Sequence, residues 1–98
     1  LIFTGRRVDA HEAHTMGLVN CVCDNALECA RQTASAIVRA APIALVQAKL
    51  AIDQGFDLDM AQAMAVEKRC YDVTIPTEDR LEALAAFREK RPPSFKGR

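Results

Sequence analysis

The sequence has few of the residues that interrupt regular structure, and it has no long apolar run. Its 98 residues include four glycines, four prolines, one tyrosine, four phenylalanines and no tryptophan. This composition excludes a collagen-like or low-complexity chain, and no stretch approaches the roughly 20 consecutive apolar residues of a membrane-spanning helix. Thirteen basic residues balance thirteen acidic ones. The net charge therefore gives no sign of a nucleic-acid or membrane partner.

Half of the residues are apolar, and alanine supplies many of them. Alanine favours helices and buries little area per residue, which suits helices that pack against something else. The chain has no initiating methionine, and its first residues, LIFTGRR, are typical of the end of an element already under way. We therefore expect residues 1–98 to be one part of a longer protein.

Four cysteines occur, and their spacing matches neither a CxxC pair nor a zinc-site pattern. They are Cys21, Cys23, Cys29 and Cys70. Cys21 and Cys23 would share one face of a short extended segment, where they would act as ordinary small apolar residues. The sequence therefore predicts no metal site, and four free thiols suit a reducing compartment.

Start and stop signals along the chain predict a mainly α structure with five helices. The first helix begins after Asp9, with Glu12 completing a capping box, and ends at Gly17.

Pro42 opens the third helix and Gly55 closes it. The other predicted helices are residues 26–40, residues 56–73, and a last helix capped by Thr77 and stopped by Pro92.

Candidate chemistry on these helices is sparse. His11 and His14 lie three residues apart, but HEAH lacks the HExxH spacing and has no third ligand nearby, so two exposed histidines are expected. Glu67 falls on the same predicted face as Met60 and Met64, where a carboxylate needs a partner. An ion pair is the favoured interpretation of Glu67, ahead of a catalytic acid.

Residues 88–98 form a basic segment, with five basic residues and one acidic residue. The segment could be a solvated helix end, where cations interact favourably with the helix dipole. It could also be a nucleic-acid arm, or one wall of a site for a phosphate-bearing ligand. The residue pattern alone leaves these three interpretations open.

Three stretches carry a resemblance to a known family: LIFTGRRVDAHEAHTMGLVN, APIALVQAKLAI and CYDVTIPTEDRLEALAAFREKRPPSFKG. Together they resemble the C-terminal part of the crotonase, or enoyl-CoA hydratase, superfamily over essentially the whole chain. The combination of TIPTEDRLE with EKRPP is most similar to the 3-methylglutaconyl-CoA hydratase branch, which includes an AU-rich-RNA-binding homologue. One departure is Ala83, where the family commonly has glycine.

The resemblance implies a spiral αβ core that carries the active site, followed by a helical C-terminal region. That region packs on the core and on neighbouring subunits, in trimers or dimers of trimers. Residues 1–98 would be this helical, oligomer-forming part, without the catalytic core. The implied reaction is the addition of water to a 2-enoyl-CoA thioester in fatty-acid or branched-chain amino-acid breakdown, including leucine degradation, in mitochondria.

The resemblance also implies which groups act. Two glutamates and an oxyanion hole of two backbone N–H groups all precede Leu1 in the family order, so we expect no catalytic residue in this chain and no activity from it alone. No metal and no cofactor are expected, because coenzyme A is part of the substrate. Phe87 and Lys90 match the AFxEK motif and are expected to contact coenzyme A. At i and i+3 they would share a helix face, with the ring beside adenine or pantetheine and the ammonium beside a phosphate.

Two other interpretations remain. The chain could belong to another crotonase-type enzyme, such as an enoyl-CoA isomerase or an acyl-CoA thioesterase. It could instead be an oligomerisation or RNA-binding module, although zero net charge and few aromatic residues argue against RNA binding by this chain. The expected partners are an acyl-CoA substrate and further copies of the same protein, and not a membrane.

Overall fold

The computed structural model describes all 98 residues, Leu1–Arg98, and contains helices without strands. The five helices are α1 (Ala10–Thr15), α2 (Ala26–Ile37), α3 (Pro42–Gly55), α4 (Met60–Thr74) and α5 (Glu78–Glu89). The mainly α structure expected from the sequence is therefore confirmed. The chain divides into two compact units, Leu1–Ala34 and Ser35–Arg98.

In the first unit, both predicted ends of α1 are confirmed. The Asp9 side chain accepts a hydrogen bond from the Glu12 N–H at 2.8 Å. After the helix, Gly17 adopts the left-handed conformation with φ 74°, and the N–H groups of Gly17 and Leu18 donate back into the last turn at 3.0 and 2.9 Å. This pair of bonds is a Schellman motif. The Glu12 carboxylate does not complete a capping box, because it pairs with Arg6 at 2.6 and 3.0 Å.

The segment between α1 and α2 is irregular. The Asn25 side chain then caps α2 by accepting a hydrogen bond from the Glu28 N–H at 3.1 Å. α2 ends at Ile37, three residues before the predicted end. This segment, which was predicted to be extended, therefore forms no strand. The caps of α1 and α2 define its two ends.

In the second unit, α3 and α4 pack against each other. Pro42 occupies the first turn of α3, as predicted. Gly55 is the last residue of α3, but Phe56 after it keeps a right-handed backbone, so Gly55 is not a left-handed cap. A Cβ atom on Gly55 would lie 3.6 Å from the Cβ of Ala63 in α4. Gly55 thus faces the neighbouring helix.

α4 begins at Met60, four residues after the predicted start. The Asp59 side chain caps it by accepting a hydrogen bond from the Gln62 N–H at 3.0 Å. This cap competes with continuation of the helix in the N-terminal direction, since Asp59 has an extended backbone. Residues 56–59, which the sequence pattern placed in this helix, therefore lie outside it.

Very little of the apolar surface is buried. Val66 and Ala86 are the only buried apolar residues, and most large apolar side chains are exposed. An open groove of about 690 Å³ runs along α3 and α4, lined mainly by apolar side chains that include Ile52, Phe56 and Met64. No single helix is long and apolar enough to cross a membrane, and only α2 and α3 taken together reach that length and composition.

Candidate functional site

The candidate site lies at the C-terminal end of α5, and the residues after this helix fold back along it. Thr77 begins α5 as predicted, with its hydroxyl accepting a hydrogen bond from the Arg80 N–H at 3.2 Å. The helix ends at Glu89. We call residues 91–98 the tail.

Asp79, in the first turn of α5, binds the far end of the tail. Its side-chain oxygens accept hydrogen bonds from the N–H groups of Lys96 and Gly97 at 2.6 and 2.8 Å. Its own N–H donates to the Arg98 carbonyl oxygen at 3.1 Å. Asp79 is only 2% exposed, so this carboxylate is buried with its hydrogen bonds satisfied.

Glu82, one turn further along α5, binds the near end of the tail. It accepts two hydrogen bonds from the Arg91 guanidinium, at 2.6 and 3.0 Å, and one from the Ser94 N–H at 2.8 Å. The bidentate bond from Arg91, followed by the Ser94 N–H, lowers the pKa of Glu82 from 4.5 to about 2. The same contact, together with a 2.6 Å bond to Glu89, raises the pKa of Arg91.

Gly97 allows the tail to close. Its φ of 74° lies in the left-handed region that favours glycine. A Cβ atom there would lie 3.6 Å from the Pro42 side chain, so the end of the tail rests against the start of α3. The tail is therefore held along α5 by Arg91, by Ser94 and by residues 96–98.

Phe87 and Lys90 lie at the C-terminal end of α5. Phe87 is in the last turn of α5 and is 84% exposed. Lys90 is also exposed and has no ion-pair partner. Its N–H donates to the Phe87 carbonyl oxygen at 3.3 Å. An exposed aromatic ring and an unpaired cation thus lie three residues apart at the end of α5.

The geometry of Lys90 differs from the expected shared helix face. Lys90 lies one residue beyond α5, and its φ of 54° and ψ of 38° make it the only non-glycine residue with positive φ. The N–H groups of Lys90 and Arg91 close a Schellman motif on Phe87 and Ala86. Lysine therefore occupies a position that glycine normally fills. The left-handed backbone, and not helical spacing, sets the direction of its side chain.

The other candidate residues named from the sequence are His11, His14 and Glu67. His11 and His14 are exposed, as expected, and neither belongs to a group of potential metal ligands. Glu67 is exposed and lines the groove of α3 and α4. It forms no ion pair within residues 1–98, because the face that carries Glu67 is open in this chain.

Sequence reasoning missed one cluster, formed by cysteines of the first unit. The sulfur atoms of Cys21, Cys23 and Cys29 all lie within 4.8 Å of one another. Cys21 and Cys29 approach to 3.3 Å, and this contact raises the pKa of Cys21. The linear spacing gave no signal, because the irregular segment and the cap of α2 bring the sulfurs together.

Comparisons with known proteins agree over the whole chain. A sequence profile described as enoyl-CoA hydratase/isomerase matches residues 1–98. Enoyl-CoA hydratase domain-containing protein 2, mitochondrial, from Homo sapiens is 51% identical over 100% of this chain and 36% of its own length. Methylglutaconyl-CoA hydratase, mitochondrial, from Homo sapiens is 45% identical over 99% of this chain and 30% of its own length. The chain thus spans about a third of the curated relatives it matches.

A solved structure gives the same result. The crystal structure of enoyl-CoA hydratase from Bacillus anthracis superposes with a TM-score of 0.94 and 45% identity, over 100% of this chain and 39% of that one. The methylglutaconyl-CoA hydratases expected from the sequence are among the relatives, but at 45% identity the human protein is less similar than the 51% identical enoyl-CoA hydratase domain-containing protein 2. On the profile match, these relatives and the shared helical structure, the chain belongs to the enoyl-CoA hydratase/isomerase family of the crotonase superfamily.

Proposed function

We propose that this chain is the C-terminal helical part of an enoyl-CoA hydratase that adds water to a 2-enoyl-CoA thioester. In this proposal Phe87 and Lys90 form part of the coenzyme A site. The observation that supports it is an exposed ring and an exposed, unpaired ammonium three residues apart at the C-terminal end of α5. The two glutamates and the oxyanion hole would lie in the rest of the protein, so the chain alone would be inactive.

The exposed apolar surface supports the proposed assembly. Apolar side chains along α3 and α4 line an uncovered groove, and such a surface is typical of an interface with another part of a protein or another subunit. In this proposal the helices pack on the catalytic core and on neighbouring subunits of a trimer or a dimer of trimers. Relatives named as mitochondrial support a mitochondrial location, and the methylglutaconyl-CoA hydratase relative supports leucine breakdown as one role.

The test of the coenzyme A site uses Lys90→Ala in the whole protein. If the ammonium binds the 3′-phosphate of the ribose, acyl-CoA binding weakens roughly 10- to 100-fold, since hydrogen bonds to charged groups are strong. The loss appears mainly in KM, because the phosphate is remote from the reacting carbons and its contact changes little in the transition state. A dephospho-CoA thioester, which lacks that phosphate, should bind both proteins equally.

Two further variants separate the charge from the backbone conformation. Lys90→Gly removes the ammonium but suits the left-handed backbone at this position, so it should retain or raise thermal stability while losing affinity as Lys90→Ala does. Lys68→Ala removes a cation that already pairs with Asp72 on α4 and should leave KM unchanged. Equal defects of Lys90→Ala on normal and dephospho substrates would show that Lys90 does not bind the phosphate.

Phe87→Ala tests the apolar half of the same site. It should raise KM through the loss of ring contact, with a weaker dependence on salt than Lys90→Ala, because an apolar contact is not screened by ions. The reaction itself is tested separately by supplying 2-enoyl-CoA and 3-enoyl-CoA to the whole protein. If the whole protein isomerises the double bond or hydrolyses the thioester without adding water, the proposed hydratase reaction is wrong. That outcome would not contradict the proposed coenzyme A site.

A further inference from the structure

Cys21, Cys23 and Cys29 are the group of potential metal ligands that the fold brings together. Each offers one sulfur, and the three sulfurs lie within 4.8 Å of one another. All three are free thiols, with Cys21 and Cys23 exposed and Cys29 partly buried. Two of the three cysteines are therefore accessible within this chain.

The local structure explains this proximity. Cys21 and Cys23 alternate along the irregular segment that leads into α2, and Cys29 is the fourth residue of that helix. Asn25 turns the chain between them. Its side chain caps α2 through the Glu28 N–H at 3.1 Å, and its carbonyl oxygen accepts from the Cys29 N–H at 3.0 Å. One sulfur is thus held by a capped helix, and the other two lie on the segment that approaches it.

The sulfur separations suit a metal ion. A zinc–sulfur bond of about 2.3 Å places the sulfurs of a tetrahedral site roughly 3.8 Å apart, and those of a trigonal site roughly 4.0 Å apart. The 3.3 Å contact between Cys21 and Cys29 and the 4.8 Å limit for the group bracket these values. Small rotations about the side-chain bonds would equalise them.

We infer that Cys21, Cys23 and Cys29 form a three-thiolate site for a soft metal ion. The group contains no histidine and no carboxylate, and an all-sulfur ligand set selects Cu(I) or Zn²⁺ over Mg²⁺ and Ca²⁺. Three sulfurs complete a trigonal site for Cu(I), whereas Zn²⁺ would take a water molecule as its fourth ligand. The bound ion would tie the segment before α2 to the first turns of that helix.

The experiment uses the whole protein, reduced with a phosphine, freed of metal and kept anaerobic. Cu(I) and Zn²⁺ are titrated separately against a chromophoric chelator, and Cd²⁺ serves as a spectroscopic probe of thiolate ligation. We expect one ion per chain and a sulfur-to-metal charge-transfer band with Cd²⁺. Cys21→Ser, Cys23→Ser and Cys29→Ser should each lower affinity more than about 100-fold, beyond the 10- to 100-fold loss typical of residues behind the ligands.

Cys70→Ser is the matched control, because Cys70 is a partly buried free cysteine on α4 in the second unit. It should bind the ion as the unaltered protein does. The inference is overturned if the reduced protein binds neither Cu(I) nor Zn²⁺, or if Cys70→Ser is as damaging as the other three variants. It is also overturned if Cys21 and Cys29 are found as a disulfide and reduction restores no metal binding.

Discussion

Removing the Asp79 carboxylate should release the end of the tail. In the folded chain the carboxylate accepts the N–H groups of Lys96 and Gly97 at 2.6 and 2.8 Å. Asp79→Ala deletes both acceptors and leaves α5 without this link to the tail. We expect the residues near Gly97 to detach while the five helices stay folded.

The magnitude follows from two opposing terms. A hydrogen bond to a charged group contributes about 1.5 to 3 kcal/mol, so the pair contributes about 3 to 6 kcal/mol. Fixing the backbone of one residue costs about 1 to 2 kcal/mol, or roughly 4 to 8 kcal/mol for residues 95–98. Because the two terms are of similar size, loss of the carboxylate shifts the balance toward a free tail. Because the hydrogen-bond energy and the entropy cost nearly cancel, loss of this contact should change the free energy of unfolding of the whole chain only slightly.

Amide hydrogen exchange measures this release directly. Loss of one bond at each amide should lower the protection of Lys96 and Gly97 roughly 10- to 100-fold, with little change in the melting temperature. Glu78→Gln is the control, because Glu78 also lies in the first turn of α5 but binds only the Arg98 side chain. Its loss of interaction with the helix dipole, about 0.3 to 1 kcal/mol, allows at most about a five-fold change. Unchanged protection in Asp79→Ala would refute the reasoning.

Three further predictions concern pH, glycine and association. The pKa of Glu82 is lowered from 4.5 to about 2, so its stabilising contribution is present above about pH 4.5 and is lost as the pH falls from there toward about 2. In urea unfolding, the stability of Glu82→Gln should therefore depend less on pH over that interval. Gly17→Ala, at φ 74°, should destabilise α1 by about 1 to 2 kcal/mol, whereas Gly55→Ala, whose Cβ would meet only ordinary contact, should be neutral or stabilising in thermal unfolding. The chain produced alone should self-associate in sedimentation, and a monodisperse monomer with a sharp melt would contradict the importance of its exposed apolar faces.

The helix ends that the sequence predicted correctly depend on neighbouring residues. Asp9 and Thr77 cap through N–H groups three residues ahead, and Gly17 closes α1 within two residues. Two aspartates, Asp57 and Asp59, lie between the predicted start of α4 at residue 56 and its observed start at Met60, and the structure uses Asp59 as the cap. Local chemistry thus specifies the fold well wherever one cap has no competitor nearby.

The contacts that the sequence did not predict join residues far apart in the chain. Asp79 lies in the first turn of α5, where a negative charge interacts favourably with the helix dipole, and it also binds N–H groups 17 and 18 residues away. No periodicity signals such a contact, because backbone donors carry no sequence signature. The cysteine cluster was missed for a related reason, since its sulfurs converge through a turn and not through a regular spacing.

The fold of the tail also bears on the interpretations of the basic segment. Of its five basic residues, Arg91 pairs with Glu82 and Glu89, and Arg98 pairs with Glu78. These contacts neutralise part of the local charge and hold the backbone against α5, which is unlike a mobile arm that spreads its cations along a nucleic acid. Arg88, Lys90 and Lys96 remain exposed and form no ion pair, so the charge still available to a ligand lies on these three residues. A backbone held against α5 in this way favours a site for a compact phosphate-bearing ligand over an arm that wraps around a polymer.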